Sequence, residues 1–288
     1  MNRQHSEDLE NDEENNEEQQ DKEDILRKLS VDITFEKSFW EKIDAIENEL
    51  VSELLEIDFL KDNNVDAVYN PLDYAADIHI NYLKKFLKQS PSVLFLGMNP
   101  GLLGMCQTGV PFGNVSSVKN WMKLSGKVEK PKIEIKMKPI EGLECKKEEQ
   151  SGKRFWGLME ELCGEPENFF RHCFVYNLCP LAFLSKTGRN ITPTELKGEC
   201  KNALNTVCLN YLSKIINTLK PKVIITVGSY AEQKIKDLKK KNLISESIEC
   251  KLLPHPSPRA LNNNDWVEKA RKWMRENDML KYFKTEQS

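Results

Sequence analysis

The chain has 288 residues, 39% of them hydrophobic, and a formal net charge of −3, enough to bury one large core or two modest ones. Residues 1–24 hold eleven Asp or Glu against Arg3 and Lys22, which leaves 40 basic and 34 acidic side chains in residues 25–288; that mildly basic remainder suits a polyanionic partner without requiring one. No apolar run approaches the roughly 20 residues needed to span a bilayer, no signal peptide opens the chain, and eight cysteines without a Cys-x-x-Cys pair read as reduced core residues rather than as disulfides or metal ligands.

Residues 1–24 contain almost nothing apolar, so they cannot offset their own ordering entropy and are expected to form a disordered acidic tail before a single domain, 25–288. The apolar positions Phe39/Trp40, Ile43, Ile46, Leu50 and Leu54 have helical spacing within 35–57. Tyr69-Asn-Pro-Leu72 marks a turn, and 73–88 reads as a second helix. Ser92 to Gly97 is continuously apolar, as in a strand buried on both faces. A Gly- and Pro-containing loop covers 102–115, with a short helix at 115–124. The lysine-rich stretch 125–150 lacks periodicity and is expected to be an exposed loop. Ser151 to Cys163 reads as a helix with Ser151 as N-cap and Gly164 past its end. Cys173 to Leu178 is strand-like, and Thr192-Pro-Thr-Glu195 has capping-box spacing for a helix running to Leu219. Lys222–Val227 and Cys250–Leu253 complete four strands, with helices after Gly228 and from Trp266 to Met274.

Strands separated by helices predict an α/β fold of three layers, α/β/α, around a mostly parallel four-stranded sheet. Ligands bind such sheets at the carboxyl ends of the strands. Three strands end there in rigid polar loops, carrying Asn99 before Pro100, Asn177 before Pro180, and His255 between Pro254 and Pro256. Topology therefore directs the three side chains into one crevice.

Several chemistries lack support. There is no Gly-x-Gly-x-x-Gly, no Gly-Lys-Ser/Thr loop and no Gly-x-Ser-x-Gly, and four histidines, one of them His5, make a multi-histidine metal site improbable. An Asn amide can hold a water, and a His can donate a hydrogen bond to a departing anion. Such a pair suits a bond whose leaving group is already good, such as the N-glycosidic bond to uracil. Taken singly, Asn99 is also an ordinary turn residue and His255 an ordinary loop histidine. Spacing does not name the substrate.

Gly97-Met-Asn-Pro-Gly101 and His255-Pro-Ser-Pro-Arg259 resemble the two active-site motifs of the single-strand-selective monofunctional uracil-DNA glycosylases. The resemblance extends to Tyr69-Asn-Pro71, Gln107-Thr-Gly-Val-Pro-Phe-Gly113, Gly152-x-Arg-Phe-Trp-Gly157, Asn177-Leu-Cys-Pro-Leu181 and Gly188-Arg-Asn-x-Thr-Pro193, covering about 58–275. It implies that Asn99 positions the attacking water and His255 stabilises the departing uracil anion. It also implies that Phe112 stacks on the flipped base, that Asn177 reads its Watson–Crick edge, and that Gly97, Met98 and Met105 line the base pocket. Ser257 would lie near a phosphate, Pro256, Pro258 and Arg259 would contact DNA, and Arg259 with the loop to Asp265 would wedge into the space the base vacates.

The expected activity is removal of uracil and 5-oxidised uracils, such as 5-hydroxymethyluracil, from single- and double-stranded DNA, with no cofactor or metal, by a nuclear monomer that does not bind membranes. A mismatch-type uracil/thymine glycosylase, a non-catalytic damage-binding module and a nucleoside hydrolase are the competing readings. Leu102-Leu103, Cys106 and Ala260-Leu261-Asn262 depart from the family pattern and bear on how deeply the wedge enters duplex DNA.

Overall fold

The computed structural model describes residues 37–260 and 263–283. The chain divides into Met1–Lys37 and Ser38–Ser288. The expected acidic tail (1–24), and Leu261 and Asn262 of the loop after Arg259, lie outside the described residues.

In chain order the elements are α1 (Phe39–Leu55), β1 (Ala67–Tyr69), α2 (Pro71–Tyr74), α3 (Ala76–Phe86), β2 (Val93–Gly97), α4 (Met105–Thr108), a π-turn at Ser117–Trp121, α5 (Gln150–Cys163), α6 (Pro166–Phe170), β3 (Cys173–Asn177), β4 (Ala182–Leu184), β5 (Asn190–Ile191), α7 (Gly198–Leu219), β6 (Val223–Val227), α8 (Ser229–Lys240), β7 (Glu249–Leu253) and α9 (Trp266–Glu276). The main sheet has the order β3-β2-β6-β7, all parallel. β2, β3 and β6 are buried along their whole length, because helices cover both faces: α5 packs on α6 and α9, α1 on α7, and α7 on α8. This is the three-layer α/β/α arrangement expected from alternating strands and helices. All four strands run the same way, so Gly97, Asn177, Val227 and Leu253 end on one edge.

Aromatic residues fill the space between the sheet and its helices. Phe95 contacts Phe155 and Phe169, Tyr82 stacks on Phe174, and Phe86 stacks on Phe170 with centroids 3.9 Å apart. Burying each such ring contributes about 1.5–3 kcal/mol. Tyr82 keeps its hydroxyl satisfied by donating to the Val175 carbonyl at 2.9 Å.

Two expected helix starts are corrected. The helix expected to start from Ser151 includes Ser151 itself, beginning at Gln150 with Glu149 in the cap position. Thr192 N–H and its hydroxyl both donate to the Glu195 carboxylate, but the Glu195 N–H goes to the Thr192 carbonyl, so only half of the capping box forms, and the helix begins only at Gly198. The intervening Lys197 is extended and donates its N–H to Asp62 at 2.8 Å. The short helix expected at 115–124 is present over 115–121, with π-helical geometry from Ser117 to Trp121.

The lysine-rich loop is pinned rather than simply exposed. Ile140 and Cys145 are buried, Ile135 donates its N–H to the Tyr69 hydroxyl, and Gln107 Oε1 accepts from the Glu141 and Gly142 N–H groups. Irregular backbone held by side chains leaves no periodic trace in sequence. A small antiparallel sheet, β1-β4-β5, also went unread, because strands of two or three residues are too short to show alternation.

A buried ion pair joins α1 to α3. His79 Nε2 lies 2.8 Å from Glu47, and Nδ1 lies 2.8 Å from the Gly109 carbonyl. Both ring nitrogens face acceptors, so the imidazolium satisfies both. Burial works to lower the His79 pKa, but the Glu47 carboxylate outweighs it and the net shift is upward.

Candidate active site

β2 ends at Gly97 and continues through Met98 into Asn99. The Gly97 and Met98 carbonyls accept the N–H groups of Leu178 and Cys179 at 3.0 and 2.9 Å, which locks the β2 and β3 exits together. Asn99 is part-buried, its Nδ2 donating at 3.5 Å to the carbonyls of Pro100 and Leu181. Those contacts are long, so the amide is oriented but retains capacity for a ligand. Pro100 cannot continue a helix or supply an N–H.

Asn177 closes β3 and is buried. Its Nδ2 donates to the Met105 sulfur at 3.2 Å, so these two expected pocket residues do meet. A Cβ on Gly97 would lie 2.2 Å from Asn177 Oδ1 and 2.7 Å from the Phe112 ring. Only glycine fits between them.

Phe112 has φ +55, a left-handed conformation that costs a non-glycine residue about 1–3 kcal/mol unless its surroundings enforce it. The surroundings do so. The ring stacks on Phe155 at 5.0 Å and 23°, and the Phe112 carbonyl accepts from Asn114 N–H at 2.8 Å. Trp156 Nε1 donates to the Pro111 carbonyl, while Gly152 lies so close that a Cβ there would stand 2.0 Å from the Phe112 oxygen. From the other direction, the His79 hydrogen bond fixes Gly109 at the start of this loop.

His255 follows β7, and its ring centroid lies 6.0 Å from that of Phe112. Ser257 N–H donates to Nδ1 at 3.1 Å, which leaves the proton of the neutral ring on Nε2. Burial pushes the imidazole pKa down to about 4, so the ring is neutral at physiological pH and presents one N–H donor. Gly228, at the exit of β6, has φ +98, a left-handed conformation that favours glycine, and lies beside His255, whose Cβ would be in ordinary contact with a Cβ there at 3.4 Å.

The loop carrying His255 is clamped by three residues the sequence reading did not single out. Asn263 Nδ2 donates to the His255 and Ser257 carbonyls at 3.0 and 2.7 Å. Arg154 donates to the carbonyls of Pro256 and Asn263, and Trp266 Nε1 donates to the Pro254 carbonyl at 2.7 Å. Arg154 belongs to the Gly152-x-Arg-Phe-Trp-Gly157 motif, which was the available signal. Asn263 carried none, because its partners are backbone atoms eight and six residues away. Of the expected DNA-facing residues, Pro258 and Arg259 are exposed and Ser257 is half-buried, its hydroxyl accepting the Arg259 N–H at 3.2 Å. Pro256 differs: it is buried, with its carbonyl turned to Arg154.

Glu149 is the other unread residue. Its carboxylate is packed against Gly101 and Gly104, whose Cβ atoms, if present, would stand 1.8 and 2.8 Å from Oε2, and burial pushes its pKa up to about 7. Among the described residues, no cluster of three or more His, Cys, Asp or Glu is arranged to hold a metal ion.

An aromatic ring, a buried carboxamide and a neutral imidazole are thus gathered at the carboxyl ends of the parallel strands. The sequence matches the family described as Uracil DNA glycosylase superfamily over residues 84–279. It is 43% identical over 217 residues to the single-strand selective monofunctional uracil DNA glycosylase of Mus musculus, covering 75% of this chain and 77% of that protein. With the Bos taurus enzyme of the same description it shares 44% over 217 residues, 75% of this chain and 79% of the other. The crystal structure of Pedobacter heparinus SMUG2 superposes with a TM-score of 0.55 at 16% identity, over 84% of this chain and 100% of that one, a likeness of fold. The chain therefore belongs to the uracil DNA glycosylase superfamily and, within it, to the single-strand selective monofunctional uracil-DNA glycosylases.

Proposed function

We propose that this protein hydrolyses the N-glycosidic bond of uracil and of 5-oxidised uracils such as 5-hydroxymethyluracil in single- and double-stranded DNA. The product is an abasic site, and the enzyme acts as a monomer in the nucleus. That it is a DNA glycosylase without lyase activity follows from its family. The observation that carries the finer reading is the convergence of Asn99, Asn177, Phe112 and His255 on one edge of the parallel sheet.

In this reading the flipped base lies on Phe112, with its edge toward Asn177 and Met105 and its C5 side toward Gly97 and Met98. Asn99 cannot take a proton, so its amide orients the water that attacks the sugar. As the glycosidic bond breaks, negative charge spreads over the base. His255, already neutral, donates from Nε2 to the oxygen where that charge collects and need not lose a proton to do so. Arg259 and Ser257 contact the backbone beside the lesion. Water as nucleophile forms no covalent enzyme–sugar bond, in keeping with the absence of lyase chemistry.

A cleavage assay in EDTA tests this reading, with oligonucleotides carrying one uracil, 5-hydroxymethyluracil or thymine, single-stranded or paired, each analysed with and without alkali. The expected outcome is alkali-dependent breakage at uracil and 5-hydroxymethyluracil and none at thymine. Breakage at thymine opposite guanine would favour a mismatch enzyme instead, and a borohydride-trapped adduct would refute the water mechanism.

A further inference from the structure

Three segments of the site meet the first two turns of one helix. Glu149, at the cap of α5, packs into the loop after Asn99: a Cβ on Gly101 would stand 1.8 Å from its Oε2, and one on Gly104 2.8 Å from it. That loop begins at Asn99-Pro100 and ends at Met105, the partner of Asn177. Gly152, three residues on, abuts the carbonyl of Phe112. Arg154 reaches the other way, to the carbonyls of Pro256 and Asn263, and Asn263 in turn holds His255. The loops bearing Asn99 and His255 leave β2 and β7, which are separated by β6, so direct strand pairing does not fix their distance.

We propose that Glu149 and Arg154 are positioning residues that together set the spacing between the Asn99 amide and the His255 imidazole, with the start of α5 as the rigid spacer. This rests on the catalytic roles given above to Asn99 and His255. Neither Glu149 nor Arg154 touches the reacting atoms. Each acts through a backbone segment, and misplacement of a catalytic group by about 1 Å costs about 100-fold in rate.

The test is single-turnover excision of uracil by full-length enzyme in saturating excess, with DNA affinity and thermal unfolding measured alongside. Glu149→Ala and Arg154→Met are each expected to slow the chemical step by about 10- to 100-fold, with DNA affinity changed far less. Glu149→Gln, which keeps the arm and one acceptor oxygen, is expected to recover most of the loss. Because freeing either end already releases the spacing, the double variant should fall little below the slower single variant. Folded variants with wild-type rates, losses confined to DNA affinity, or fully multiplicative losses in the double variant would each overturn the proposal. If Glu149→Ala fails to fold, Glu149→Gln and Arg154→Met decide the matter by the same rates. Asn99→Ala and His255→Leu serve as controls: fast controls would refute the catalytic assignment, whereas slow controls with fast Glu149 and Arg154 variants would refute this inference alone.

Discussion

Gly97 and Asn177 are register partners on adjacent parallel strands, and a Cβ on Gly97 would lie 2.2 Å from Asn177 Oδ1. That contact is made before any ligand enters. The glycine is required by the space the carboxamide and the Phe112 ring occupy, rather than by its own backbone angles.

Gly97→Ala should therefore displace both Asn177 and Phe112. Single-turnover excision of uracil is expected to fall by about 100-fold or more, given the sensitivity of rate to about 1 Å of misplacement. Wild-type rates in a folded Gly97→Ala protein would show that neither side chain reads the base.

His255 should keep the enzyme active well into acid. Its pKa is lowered from 6.5 to about 4, so the neutral ring that donates from Nε2 persists until the pH approaches 4. A rate–pH profile under single turnover should show no limb near 6.5 attributable to this residue, and a loss near 4. The linked stability has the same sign: a depressed folded pKa contributes stability above 6.5 that disappears as pH falls through about 4. His255→Leu should remove that contribution in thermal melts and abolish most turnover while leaving DNA binding intact.

Asn263→Ala removes both side-chain hydrogen bonds to the His255 and Ser257 carbonyls. Leaving acceptors in this part-buried loop without partners costs about 1–3 kcal/mol. Urea unfolding should register that loss, and the excision rate should drop by about tenfold, because the imidazole would no longer be held by its own backbone.

The Glu47–His79 pair is expected to matter for stability rather than chemistry. Breaking a buried pair by removing one partner costs about 3–5 kcal/mol, so Glu47→Leu should be strongly destabilised in denaturant titration. Because the folded pKa of His79 is raised, its contribution is complete below 6.5 and is lost as pH rises through the raised value. Melts of wild type and His79→Leu should converge toward alkaline pH.

The chain itself declared its layered class. Continuous apolar runs such as Val93–Gly97 and Val223–Val227, alternating with helical periodicity, are what a doubly covered parallel sheet demands, and the Pro-stiffened loops at Asn99 and His255 marked where its ligand edge lies. Those are local signals, written in consecutive residues. The left-handed Phe112, the close approach of Glu149 to Gly101 and Gly104, and the hold of Arg154 and Asn263 on the His255 loop had no such signal. Each depends on backbone atoms brought near by folding, across separations from 6 to 109 residues in the case of the loop clamp. Side-chain-to-backbone contacts place no demand on the partner's residue type, so sequence pattern records one half of each at most. The residues that carry the proposed chemistry could be named from the chain; what holds them at a working distance was decided by the tertiary structure.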